Sequence, residues 1–406
     1  MRGWWPAASK DQVCPNTLPN GLILSGGGAR AAYQVGVLMG IAEIISPGEC
    51  NPFPILCGTS AGAINAAALA ARAHNFRLAV RGLERTWGQL TVDQVFRTNM
   101  GAFMKALVRW ALPAFITGRT PNHSALLNNE PLAELLARVI PFEHIDTCIA
   151  KGFLQALSVT ASSYTSNESV SFYQAKAGIT PWQRKRRRGE PARIGVPHLL
   201  ASSALPVLFQ AQAIGQHYFG DGAMRQLSPI SPALHLGAER VLVIGVSGQQ
   251  PTVNRANGVP SYPSMAQVLG HVLDSVFVDM FEADVERLER INRTIARLSP
   301  KQREAQKLRS VEILKIYPSA SLDEIAADYL HLLPWRLRLF LRGPGGTRRA
   351  GASAVSYLLF EKPFIEELMA LGLSDARRQQ EEIRHFLRPT AETAAENVPA
   401  WRWGNP

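Results

Sequence analysis

The chain has 406 residues, 46% of them apolar, with 43 lysines and arginines against 32 acids and a net charge of +11. That length exceeds one ordinary domain, yet a single α/β sheet with insertions runs this long. No apolar run approaches the ~20 residues of a bilayer-spanning helix, and the opening Met1-Arg2-Gly3-Trp4-Trp5-Pro6 turns polar without the apolar core of a signal peptide. The composition agrees with a soluble enzyme, cytoplasmic and at most peripheral on the inner face of the membrane. Cys14, Cys50, Cys57 and Cys148 show no metal spacing, and they read as reduced thiols.

In chain order, residues 1–20 read as irregular. Leu22-Ile23-Leu24 predicts a strand, Gly26-Gly27-Gly28-Ala29-Arg30 a loop, and Ala31 to Ile45 a helix. The unit then repeats: an apolar run from Phe53 to Cys57, a turn at Gly58-Thr59-Ser60-Ala61-Gly62, and an alanine-rich helix from Ala61 to Ala71. A right-handed crossover makes the two strands parallel neighbours with both helix N-termini at one sheet edge, so the glycine loop and Ser60 are expected to meet.

A helical insertion follows between Ala79 and Ile140, then strands near Phe153 to Ala161 and Val170 to Gln174. The unbroken apolar run Val241 to Val246 predicts a buried parallel strand. Met265 to Leu298 reads as one long helix with Val285, Leu288, Ile291, Ile295 and Leu298 on one stripe. Val311 to Tyr317 predicts another strand, Arg342 to Gly351 a linker, Val355 to Leu387 helix, and the residues from Pro389 a disordered tail. The fold class is therefore α/β, a mostly parallel sheet flanked by helices. Its core covers 21–250, a helix and strand continuation 251–341, and a linker with a C-terminal helical extension 342–388.

Gly58 to Gly62 has the form of a nucleophile elbow. Small residues two before and two after Ser60 let the chain turn sharply, so that the hydroxyl projects at the positive N-terminus of a helix. The competing reading is a plain strand-to-helix turn with a capping serine. Gly26, Gly27 and Gly28 leave backbone N–H groups unobstructed at a second helix N-terminus, where they can donate to a developing oxyanion, and Arg30 adds a positive charge. A dinucleotide site fits poorly: Ala31 stands at the third glycine position of G-x-G-x-x-G, and the second strand ends on Ser60 instead of an acid. A P-loop lacks its Gly-Lys-Ser/Thr. Gly220-Asp221-Gly222-Ala223 after His217-Tyr218-Phe219 reads alone as a turn at a strand end.

The order of glycine loop, serine elbow and Asp-Gly resembles that of patatin-like phospholipases. Gly26 to Arg30 is similar to the family's oxyanion loop, Gly58 to Gly62 to its serine elbow, and Asp221-Gly222 to its Asp-Gly motif. His198 to Pro206 resembles the helix and proline turn that bacterial members place before the aspartate, and Leu227 to Gly248 and Ser356 to Leu387 resemble the longer bacterial members. Ala31 and Ala223 depart from glycines found in many members. The resemblance implies a three-layer α/β/α fold and a Ser60–Asp221 dyad that acts on lipid acyl esters with no histidine, metal or cofactor. Gly26, Gly27, Gly28, Arg30 and the Ala61 N–H are the oxyanion candidates. An acyltransferase working through the same acyl-enzyme, and a catalytically silent membrane-associated protein, are the alternatives.

The histidines agree with a dyad. A triad would need one in a loop late in the chain, whereas His235 falls in a short helix at best, His271 lies at helical spacing among apolar residues, and His217 belongs to a strand. His331 and His385 likewise do not follow a strand. Arg184-Lys185-Arg186-Arg187-Arg188 reads as a solvated loop, with docking on anionic lipid headgroups as its functional alternative. A nucleic-acid role has no fold signature. Phe103 to Ile116 and Leu332 to Leu341, with Trp110 and Trp335 among sparse cations, read as core helices or as surfaces for a membrane interface.

Overall fold

The computed structural model of the chain describes residues 19–96, 127–206, 208–246, 265–305, 309–333 and 352–388. Among the described residues ten strands build one sheet: β1 (Asn20–Leu24), β2 (Ile55–Thr59), β3 (Ala156–Ser163), β4 (Ser169–Ala175), β5 (Trp182–Arg184), β6 (Arg187–Pro191), β7 (Gln212–Ile214), β8 (His217–Asp221), β9 (Arg240–Ile244) and β10 (Glu312–Ile316). Their order is β10-β9-β1-β2-β3-β4-β6-β5, with β8 attached to β3 and β7 to β8. From β10 to β3 every pair is parallel. Beyond β3 the sheet is mixed, because β3 and β4, β5 and β6, and β7 and β8 are joined by tight turns, which only antiparallel strands permit. The expected mostly parallel sheet is found in the four pairs from β10 to β3, and β4 with β6 adds a fifth parallel pair beyond them.

β1, β2 and β9, in the middle of the parallel half, are buried on both faces, which is why they carry near-continuous apolar runs, whereas the edge strand β10 keeps Glu312 and Lys315 partly exposed. Leu22, Leu24, Leu56, Leu242 and Ile244 join a core shared with α1 (Ala32–Ile44), α2 (Ala61–Ala70), α3 (Phe76–Gly88) and the Lys362–Arg378 helix. Ile23, Ile55, Cys57, Val241 and Val243 point the other way, onto the Ser231–His235 and Met280–Ala296 helices. Each fully buried leucine or isoleucine here contributes about 1.5–3 kcal/mol relative to exposure. The C-terminal helices are fused to the first core: Tyr33 Oη donates to Asp375 Oδ2 at 3.0 Å, and Phe364, Ile365 and Leu368 are fully buried.

Several elements differ from expectation. The long helix from Met265 is interrupted by a π turn at Ser275–Asp279. Leu273 and Phe277 serve the first core, Phe281, Val285 and Leu288 the second, and the extra residue of a π turn is where the buried stripe changes sides. Ile291, expected on the stripe, is 38% exposed. The basic block is not a loop but a hairpin, β5 turning into β6 at Lys185-Arg186, with Arg186 at φ 61°. The expected C-terminal helix is three helices, Ala352–Leu358, Lys362–Arg378 and Gln380–Leu387. Cys57 and Cys148 are free and buried as expected, whereas Cys50 is disulfide-bonded and not a reduced thiol. Among the described residues, no helix is long and apolar enough to cross a membrane. Cys14, the Phe103 to Ile116 stretch, Trp335 with its basic neighbours, the linker at 342–351 and the tail from Pro389 lie outside the described residues.

Candidate active site

β2 ends at Thr59, and Ser60 follows as the residue before α2, at φ 54° and ψ −129°. A non-glycine residue at that φ is strained, and packing holds it there. Gly62 lies so close to β1 that a Cβ would sit 2.3 Å from Leu24 O and 2.5 Å from Ser25 O. Only glycine lets α2 start against the neighbouring strand. The Ser60 N–H donates to Ser202 Oγ at 2.8 Å, and Ser202 Oγ donates to Thr160 O at 2.6 Å.

The acid arrives along β3. Thr59 pairs with Thr160 in the β2–β3 ladder, and Asp221 pairs with Ala161 in the β8–β3 ladder. β2 and β8 therefore meet end to end on one strand, and their last residues bring Ser60 and Asp221 together. The Asp221 N–H donates to Ala204 O at 2.8 Å. Ser202, the last residue of the Val196–Ser202 helix, and Ala204, two residues on, thus hold the backbones of both dyad candidates. A third tie runs through Gln226, which accepts from Thr59 Oγ1 at 2.5 Å and donates to Thr160 Oγ1 at 3.2 Å.

Asp221 is fully buried, and its Oδ1 accepts from the Ala223 N–H at 3.0 Å. Its Oδ2 has no hydrogen-bond partner among the described residues. Burial pushes the carboxyl from its ordinary 3.8 up to about 7, while the neighbouring Ser60 hydroxyl and the Ala223 N–H pull it partly back. The Ser60 hydroxyl is near enough to favour the carboxylate.

The glycine loop closes the other side. A Cβ on Gly26 would lie 3.1 Å from Ser60 Cβ, so loop and elbow are in contact, as the parallel pairing of β1 and β2 implies. Gly28 sits at φ 53° with Tyr357 O 2.2 Å from where a Cβ would be, a position open only to glycine. Among the described residues, the N–H groups of Gly27, Gly28 and Ala61 find no acceptor. Gln34 anchors the loop's start, donating to Ser25 O at 2.8 Å, and Asn65 on α2 donates to Gln34 Oε1 at 3.0 Å.

Arg30 is turned to a different task from the one its position in the loop suggests. Its guanidinium is buried, donates to Ser356 Oγ at 2.7 Å, pairs with Asp323 at 2.5 Å and Asp274 at 3.3 Å, and lies 3.9 Å from the centre of the Tyr357 ring. Asp274 also accepts from Tyr357 Oη at 2.8 Å. Arg30 is therefore a clamp that fixes the glycine loop to the C-terminal third of the chain. Sequence reasoning missed this clamp, the contact of Ser202 with Ser60, and Gln34, Asn65 and Gln226, which carry no motif of their own.

Of the histidines weighed for a triad, His235, His271, His331 and His385 stand on helices and His217 in β8. The His235 ring stacks on Trp182 at 4.8 Å, where burial with Arg184 and Arg187 nearby holds it down at about 4. His271 is exposed, and His331 Nδ1 lies 3.0 Å from Asp328 O.

The family described as patatin-like phospholipase matches residues 22–234. Among solved structures, VipD from Legionella pneumophila is 14% identical over 87% of this chain and 67% of its own, with a TM-score of 0.30. Human GIVD cytosolic phospholipase A2, in complex with methyl gamma-linolenyl fluorophosphonate and terbium chloride, is 12% identical over 91% of this chain, with a TM-score of 0.40. This chain spans 59% of the length of that human chain. No curated protein matches it.

Proposed function

Because the chain belongs to the patatin-like phospholipase family, we propose that it is a serine lipid acyl hydrolase in which Ser60 and Asp221 form the catalytic dyad. The substrate is a phospholipid, a lysophospholipid or a simpler acyl ester, met at a membrane surface. Ser60 Oγ attacks the ester carbonyl as Asp221 Oδ2 takes its proton. The new oxyanion is held by the N–H groups of Gly27, Gly28 and Ala61 at two helix N-termini, with Gly26 shaping the loop against the serine. Asp221 returns the proton to the departing alcohol and leaves an acyl ester on Ser60. In the second step Asp221 deprotonates water, which attacks the acyl carbon, and fatty acid is released as Ser60 recovers its proton.

What supports this reading is the unpartnered Oδ2 of a buried Asp221 at the end of a strand that abuts the elbow. An acid needed only for packing would have its second oxygen satisfied. With its pKa near 7 the carboxyl is ready both to take and to give a proton at neutral pH. Arg30 contributes by positioning the loop and not by touching the oxyanion. Fatty-acid release from mixed phospholipid vesicles tests the proposal. The wild-type chain releases fatty acid, and both Ser60→Ala and Asp221→Asn lose the activity while keeping the wild-type far-UV spectrum. Undiminished release by Asp221→Asn would sink the dyad.

A further inference from the structure

The hydrolase reading leaves unused a group of exposed side chains at the same end of the sheet as Ser60 and Asp221. Register fixes their position. Arg186 O accepts from Ser169 N at 2.9 Å, Ser169 pairs with Ser162, and Ser162 pairs with Gly220, the residue before Asp221. The tip of the β5–β6 hairpin is thus three strand spacings from the acid, roughly 15 Å.

The charges there are mostly uncompensated. Arg188 is paired with Glu168 at 2.5 Å and Glu190 at 3.2 Å, and Arg187 is half-buried. Lys185 and Arg186 are exposed at the turn, and neither they nor Arg184 have an acidic partner among the described residues. Arg225, four residues past Asp221, is exposed and reaches the β3–β4 turn, donating to Asn167 O at 3.2 Å and Asn167 Oδ1 at 3.1 Å. It too lacks an acid among the described residues.

Apolar and aromatic groups stand beside them. Of the eight large hydrophobic residues exposed among the described ones, four are here: Tyr218 at 57%, Leu227 at 51%, Tyr164 at 47% and Met224 at 38%. The Tyr164 N–H donates to Tyr218 O at 2.9 Å, and Tyr164 Oη lies 2.4 Å from where a Cβ on Gly220 would be. The patch therefore runs up to the catalytic aspartate itself.

Resting on the lipid hydrolase reading, the geometry points to this patch as the face that docks on an anionic lipid surface. Lys185, Arg186 and Arg225 meet the headgroups, Tyr164 and Tyr218 sit at their level, and Met224 and Leu227 enter the acyl boundary. Cations alone would serve a nucleic acid equally well, but Met224 and Leu227 have no use on a phosphate backbone. Docking by this face brings the bilayer to the edge where a 3% exposed Ser60 must receive its substrate.

The test is cosedimentation of the full chain with phosphatidylserine–phosphatidylcholine vesicles and with phosphatidylcholine vesicles at rising salt. It compares the wild type, Lys185→Glu/Arg186→Glu and Tyr218→Thr, alongside hydrolysis of a short-chain soluble ester. Each basic residue near an anionic leaflet multiplies binding about fivefold, so the double reversal is expected to weaken binding to anionic vesicles by well over tenfold. Wild-type binding should fall with salt, Tyr218→Thr should weaken the part that salt leaves, and all three proteins should cleave the soluble ester equally. Equal vesicle binding by the double variant, no wild-type binding at low salt, or tighter binding to duplex DNA than to anionic vesicles would each overturn the proposal. Vesicle binding without cleavage of the soluble ester would uphold the surface and count against the hydrolase.

Discussion

Thr59, the last residue of β2, and Asp221, the last of β8, pair with consecutive residues of one strand, the first with Thr160 and the second with Ala161 of β3. Ser60 follows Thr59 directly, so the meeting of Ser60 and Asp221 is a property of backbone register. Each expectation below depends on how this junction is held.

The buried acid should cost stability as it ionises. Below pH ~4 Asp221 is protonated in folded and unfolded chains alike and has no effect. Between its unfolded value of 3.8 and its folded value of about 7, the unfolded chain releases the proton and the folded one keeps it, so stability falls as pH rises. The full penalty, at about 1.36 kcal/mol per pKa unit, is on the order of 4 kcal/mol and is reached above pH ~7. Thermal melts of wild type and Asp221→Asn should therefore diverge with pH, the variant gaining from mildly acidic to neutral conditions and then holding a constant lead. A pH-independent difference would contradict the buried, ionisable acid.

The same titration should appear in the rate. Only ionised Asp221 can accept the Ser60 proton, so kcat/KM for a soluble ester should rise with pH and level off, with its midpoint near pH ~7. A profile flat from pH ~5 to 9 would place the base elsewhere.

Ser202 should matter to both stability and turnover. It accepts from the Ser60 N–H and donates to Thr160 O, and it is fully buried. Ser202→Ala strands two buried backbone groups, at about 1–3 kcal/mol each. It also releases the elbow, so kcat should fall by roughly one to two orders of magnitude, as for displaced catalytic groups. Urea melts together with kcat and KM check this, and a stable, fully active variant would show that the elbow needs no such anchor.

Arg30 separates two roles. As a clamp, its replacement by Met leaves Asp274 and Asp323 without their cation, a loss of roughly 3–5 kcal/mol, discounted because both acids are about a third exposed. Melting temperature and fluorophosphonate labelling rate should then fall together, with Arg30→Lys recovering only part of each, since one ammonium cannot satisfy Ser356 and both acids at once. Lost turnover at wild-type stability would instead mark Arg30 as an oxyanion donor.

Much of this site could be read from local pattern. Strand, glycine loop, helix, strand, elbow and helix are contiguous, and the crossover rule places β1 beside β2 without further information. Asp221 could be read only through the resemblance of the motif order to that of the family, for nothing near it in sequence shows that β8 ends against β2. Ser202 and Ala204 were visible as a helix followed by a proline turn, but the contact of Ser202 with Ser60 spans 142 residues and has no local signature. Arg30 misleads for the same reason: its partners Asp274, Asp323 and Ser356 come from the far third of the chain. The basic block could not be read as a hairpin because charged residues hide strand alternation, and its turn relies on Arg186 adopting a positive φ.

The most direct measurement is mass-spectrometric mapping of a fluorophosphonate adduct on the wild-type chain, Ser60→Ala and Asp221→Asn. The account predicts one adduct, on Ser60, absent from Ser60→Ala and formed far more slowly in Asp221→Asn. An adduct on another serine, or labelling of Asp221→Asn at the wild-type rate, would contradict the dyad.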